Sequence, residues 1–95
     1  MLSKEEFITE FRTKFGQNEA YSLDELYGFY QDSMNRGLDQ YKYVCQLLDI
    51  IDDFSENDQI NVYKGVRTWY AEKGIEMTPA EVIEWMRVLK IARNS

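Results

Sequence analysis

The chain has 95 residues, of which 44% are hydrophobic and 15% aromatic, and a formal charge of −6. This is the composition of one globular domain, too apolar for a disordered tail and too short for a second core. The charge disfavours sequence-independent attraction to nucleic acid or an anionic membrane. The absence of histidine removes the commonest general base and most zinc sites, and a single cysteine leaves no intramolecular disulfide.

Taken in order, the chain reads as a succession of capped helices. Ser3 and Glu6 form a capping box, Phe7, Ile8, Phe11 and Phe15 line one face, and Gly16 is a C′ stop. The charged residues Lys4, Glu5 and Glu6 precede any apolar run, so this start is not expected to be a signal peptide. After a polar connector over 17–21, Ser22 and Glu25 open a second helix with Leu26, Tyr27, Tyr30 and Met34 at helical spacing, closed by Asn35-Arg36-Gly37. Gly28 inside it costs roughly 1 kcal/mol relative to Ala, which predicts the close approach of a neighbour.

A third helix is predicted from Leu38 to Asp53. Its inward face is Tyr41, Val44, Cys45, Leu48 and Ile51, and its outward face is Asp39, Lys42, Gln46 and Asp49. Ser55 or Asn57 caps a fourth, with Val62, Tyr63, Val66, Trp69 and Tyr70 inward and Lys73-Gly74 at its end. Thr78, Pro79 and Glu81 begin the fifth, onto whose Val82 either Ile75 or Met77 can staple. Val82, Trp85, Met86, Leu89 and Ala92 recur on one face. Ile83, Val88 and Ile91 widen it, leaving Glu81, Glu84, Arg87 and Lys90 on a narrow polar edge. A helix this apolar is expected at the centre of a core or in an oligomer interface. Val82, Trp85, Met86 and Leu89 are therefore its core or homodimer residues. No strand and no internal repeat is predicted. The expected fold is all-α, one domain over 1–95, a compact bundle of four to five short helices ending in a helical hairpin.

Chemistry is sparse. Asp49, Asp52 and Asp53 stand at i, i+3 and i+4, and Glu56 and Asp58 follow, five acids without a base at a helix end where the dipole disfavours anions. Three functions fit such a cluster: a solvated turn, a docking patch for a basic partner, or a weak Mg²⁺ site at Asp49, Asp52 and Asp53. Arg87, Lys90 and Arg93 recur every third residue on the last helix, a spacing that a DNA-reading helix could show. Ordinary helix-surface charge, with Glu84–Arg87 as a local pair, explains the same spacing. Cys45 on an apolar face reads as a packing residue rather than a nucleophile. Most of the seven tyrosines and two tryptophans fall on inward faces. Tyr21 and Tyr43 fit no stripe, and a surplus of such side chains favours a binding surface over a catalytic cleft.

Asn61, Trp69, Thr78-Pro79-Ala80, Val82, Met86 and the run Leu89-Lys90-Ile91-Ala92-Arg93 resemble part of a phage-encoded all-α family related to MazG-type nucleotide pyrophosphohydrolases. That resemblance implies an all-α fold, a phage or prophage origin and, for the enzymes, carboxylates of an EExxE motif and a later ExxD holding Mg²⁺ against a triphosphate. The chain departs from both motifs. Glu5-Glu6 is followed by Glu10, one residue too far, and Asp49 with Asp52 stands in place of ExxD. The leading expectation is therefore a small non-enzymatic interaction protein of the bacterial cytoplasm, with no cofactor or catalytic residue. It binds and inhibits or otherwise modulates a host or phage protein through Asp49, Asp52, Asp53, Glu56, Asp58 and exposed aromatics. A MazG-like hydrolase using Mg²⁺, or its inactive relative, and a helix-turn-helix regulator are the alternatives.

Overall fold

The computed structural model describes the backbone of all residues and the side chains of all except Asp39 and Gln40. The outward orientation expected of Asp39 therefore lies outside the described residues. Five α-helices follow one another: α1 (Lys4–Phe15), α2 (Leu23–Arg36), α3 (Lys42–Ile50), α4 (Glu56–Glu72) and α5 (Pro79–Asn94). Short 3₁₀ turns, Leu38–Tyr41 and Ile51–Asp53, flank α3, and there is no strand among the described residues.

The caps act as the sequence implies. Ser3 with Glu6, Ser22 with Glu25 and Thr78 with Glu81 each exchange both capping-box hydrogen bonds, so three helix starts are specified by local chemistry alone. For α4, Ser55 is the cap and accepts from the Asp58 N–H at 3.3 Å. Gly74 closes α4 at φ +83°, where a side chain would strain the backbone, and this reversal lets the Ile75 N–H reach the Tyr70 carbonyl. Met77 packs onto the cluster that contains Val82, whereas Ile75 stays exposed.

Two expectations change here. The predicted continuous helix Leu38–Asp53 is instead α3 between two 3₁₀ turns. No side chain caps α3 at Tyr41, and no base stabilises its last turn, so both ends tighten rather than extend. The second turn closes through the Phe54 N–H on the Ile51 carbonyl and tucks Ile51 into the core. The close neighbour predicted at Gly28 is also missing, since a Cβ there would meet nothing within 4 Å.

Helix α5 lies at the centre, touching each of the other four helices. One side of it supplies Val82, Trp85, Met86 and Leu89 to a cluster with Tyr41, Val44, Leu48, Ile51, Val66 and Tyr70. The other supplies Val88, Ile91 and Ala92 to a cluster with Phe7, Phe11, Leu26 and Tyr30. Most of the apolar circumference expected in a core or a homodimer interface is thus packed within one chain.

Glu84 corrects the reading of the polar edge. It is 1% exposed, because the connector between α1 and α2 lies across it. Its Oε1 accepts from the Glu19 N–H and from Arg87 Nη1, both at 3.1 Å, while its Oε2 has no hydrogen-bond partner. Arg87 also donates to the Gln17 carbonyl at 3.2 Å and lies over the Phe15 ring. A carboxylate so placed tolerates burial only while these donors stay in position, so it fixes the connector.

Leu89→Ala is expected to cost about 2–5 kcal/mol of folding stability, because Leu89 is fully buried between α5 and its neighbours. Urea denaturation giving a loss below about 1 kcal/mol would contradict the central place of α5. In the opposite direction, Gly28→Ala and Gly65→Ala should each stabilise by about 0.5–1 kcal/mol, seen as a melting point several degrees higher, since both positions are helical, exposed and open.

Candidate functional site

The five acids do not form one patch. Asp49, in the last turn of α3, pairs with Arg93, and Asp52, in the second 3₁₀ turn, pairs with Lys90, each at 2.5 Å. Asp53, Glu56 and Asp58 remain exposed and have no ion pair among the described residues. Glu56 and Asp58 occupy the first turn of α4, where the helix dipole favours anions, so these two need no external cation. The i, i+3, i+4 geometry expected to bring the oxygens of Asp49, Asp52 and Asp53 together depends on an α-helix that ends at Ile50. Among the described residues no three His, Cys, Asp or Glu side chains are disposed to hold a metal ion.

The basic stripe is engaged by the same contacts. Arg87 is held by Glu84, Lys90 by Asp52, and Arg93 by Asp49 and the Cys45 carbonyl at 2.9 Å. Cys45 itself is half-buried at the edge of the core, its thiol towards the Leu38 carbonyl.

The most distinctive surface is an aromatic groove of about 540 Å³ between α2, the turn at Leu38–Tyr41, the end of α4 and α5. Each element contributes for a local reason. Phe29, Asp32 and Arg36 lie on one face of α2, three and four residues apart. Trp69, Tyr70 and Lys73 come from the last turn of α4, and the reversal at Gly74 brings Ile75 and Met77 to the same edge. Trp85 on α5 forms the floor with Tyr41 and Tyr70, all three nearly buried. The rings of Phe29 and Tyr41 each meet Trp85 edge-on, with centroids 5.4 Å apart, and Tyr21 meets Phe29 in the same manner at 4.7 Å. At the mouth, Tyr43 packs on Trp69 at 5.3 Å, and the Lys73 ammonium sits 4.6 Å from the Trp69 ring centroid.

Polar groups here are partly spoken for. Trp85 Nε1 donates to the Tyr70 hydroxyl oxygen at 2.6 Å, and the Tyr21 hydroxyl donates to Glu81 Oε2 at 2.5 Å. The second bond, with the Thr78 capping contacts, holds the Glu81 carboxyl below its usual range. Both tyrosines are pushed up to about 12, by burial first and, at Tyr21, by the Glu81 carboxylate next. Arg36 pairs with Asp32 at 2.9 Å, and burial raises the Tyr41 hydroxyl while the nearby Arg36 partly offsets that rise.

The sequence pointed to this groove only indirectly. Tyr21 and Tyr43, the two tyrosines outside any helical stripe, both belong to it or its mouth, and so do both tryptophans of the chain. Phe29, Lys73, Ile75 and Met77 were not singled out as site residues. Phe29 falls just off the apolar face of α2, and the remaining three take their meaning from the reversal at Gly74. No protein-family model matches the chain, and neither curated proteins nor solved structures yield a match.

Tyr21 and Tyr70 make stability sensitive to alkali. Their folded pKa values exceed the unfolded value near 10, so the stabilisation is complete below about pH 10 and is lost as pH rises towards 12. Absorbance at 295 nm should show two of the seven tyrosines ionising last, together with loss of near-ultraviolet dichroism. In Tyr21→Phe the loss of stability between these pH values should be shallower than in the wild type. Equal slopes would contradict the role assigned to this phenol.

Proposed function

We propose that this chain is a small non-enzymatic interaction module that binds a protein partner in its aromatic groove and modulates that partner by occupying it. The observation behind this reading is the gathering of six aromatic rings, Tyr21, Phe29, Tyr41, Trp69, Tyr70 and Trp85, around one open groove whose lining also carries Asp32, Arg36 and Lys73. Tyr, Trp, Met and Arg are the residues enriched in protein interfaces, and Trp, Tyr and Arg dominate binding energy where they are well packed. The groove continues onto Tyr43 and Ile75, which are 41% and 44% exposed, so the apolar surface extends beyond what a small ligand would cover. The exposed acids Asp53, Glu56 and Asp58 would steer encounter more than supply affinity. Under this reading the partner is a host or phage protein if the chain is encoded by a mobile element.

The alternatives have less behind them. A Mg²⁺-dependent hydrolase would need the carboxylates that Arg93 and Lys90 engage, and a DNA-reading helix would need the three cations that Glu84, Asp52 and Asp49 engage.

The test uses the intact chain as bait in bacterial lysate beside the variants Tyr43→Asp and Ile75→Asp, whose exposed positions leave the core untouched. A protein retained in stoichiometric amount by the wild type and reduced at least about tenfold by either variant, with unchanged helical dichroism, is the expected result. Retention unaffected by both variants, or turnover of nucleoside triphosphates with Mg²⁺, would overturn the proposal.

A further inference from the structure

We infer that the segment received by the aromatic groove presents a large apolar side chain beside a carboxylate, so the docked portion of the partner is acidic rather than basic. This rests on the groove being the partner site and adds the chemistry of what it takes.

The apolar half of the requirement comes from the floor. Trp85, Tyr41 and Tyr70 offer ring surface there, and the indole N–H is already used by the Tyr70 oxygen. An occupant reaching the floor therefore meets aromatic faces, and a large aliphatic or aromatic side chain is the group that gains most from that contact.

The carboxylate half comes from a surplus of donors. The Tyr70 oxygen accepts from Trp85, and neither the Tyr70 nor the Tyr41 hydroxyl has a hydrogen-bond acceptor among the described residues. Lys73 stands at the mouth over Trp69 with no carboxylate paired to it. The one acid on the lining, Asp32, is occupied by Arg36. Two lining phenols and an ammonium at the mouth thus border a groove whose one lining acid is paired with Arg36. An acceptor-only anionic group satisfies them, whereas a basic segment would add donors and meet Lys73 as a like charge. Within a chain at −6, Asp32 and Arg36 balance on this lining and Lys73 is its remaining charge.

Both tryptophans line the groove, so intrinsic fluorescence reports its occupancy directly. The probes are three blocked peptides without tryptophan: acetyl-Glu-Phe-Leu-Glu-amide, acetyl-Lys-Phe-Leu-Lys-amide and acetyl-Glu-Ala-Ala-Glu-amide. The first is expected to shift the emission saturably, the second to bind about tenfold more weakly, and the third to produce no shift. Lys73→Glu should weaken the first peptide about tenfold and strengthen the second, an exchange of preference that a structural role for Lys73 would not produce.

A basic peptide binding the wild type as well as the acidic one, or an acidic peptide indifferent to Lys73→Glu, would overturn the assignment of the carboxylate. Competition by free 3-phenylpropionate at the same concentration as the peptide would overturn the assignment to a protein segment. Either result leaves the groove itself standing, provided Ile75→Asp still abolishes partner capture. If that variant captures the partner as the wild type does, the groove reading fails as well.

Discussion

Helix α5 is buried around most of its circumference, and both halves of the core are built on it. Val82, Trp85, Met86 and Leu89 face the elements that follow α2, with Trp85 also meeting Phe29 of α2, while Val88, Ile91 and Ala92 face α1 and α2. Without α5, Phe7, Phe11, Leu26 and Tyr30 would lose their covering, and α3 and α4 would have no common surface to pack on. A chain of this size buries only about 60–65% of its unfolded surface, so one shared helix is an economical way to give two small clusters a continuous core.

Placing α5 centrally has consequences for every charge near it. Its charged side chains are each met by a complementary group from another element. Glu84 is covered by the α1–α2 connector and receives the Glu19 N–H, Arg87 reaches the Gln17 carbonyl, Lys90 reaches Asp52, and Arg93 reaches Asp49. The exposed pairs contribute little energy individually. Their effect is positional: they fix the connector against one face of α5 and the turn Ile51–Asp53 against another. The same contacts remove the basic stripe and two of the five acids from the set of groups free to meet a partner.

The groove arises from the same geometry at the other end of α4. Trp85 is large enough to reach the surface between α2 and α4, and Gly74 turns the chain back so that Ile75 and Met77 border it. Phe29, Tyr41 and Tyr70 cover most of the indole, and the groove above it is lined with rings. The groove is therefore a product of how the hairpin of α4 and α5 docks on α2, and its character comes from the aromatic residues that each element brings.

Local chemistry along the chain was sufficient to determine five helices, three capping boxes, the closure at Gly74 and the apolar faces of α1, α2, α4 and α5. Each of these depends on residues within about four positions of one another, and such interactions keep the same sign in any surroundings. What the tertiary structure alone decided concerns contacts between distant residues. Glu84 looks like a surface residue by its spacing, and only the passage of residues 17–19 over it makes it buried. Asp49 and Asp52 look like members of an acidic cluster, and only the approach of α5 supplies their cations. The helix expected from Leu38 to Asp53 breaks into α3 and two 3₁₀ turns because its ends lack a side-chain cap and a stabilising base, and the second turn buries Ile51. The aromatic groove is formed by α2, α4 and α5 together, so no single stretch of sequence could display it. Its only trace in the linear chain was that Tyr21 and Tyr43 belonged to no helical face.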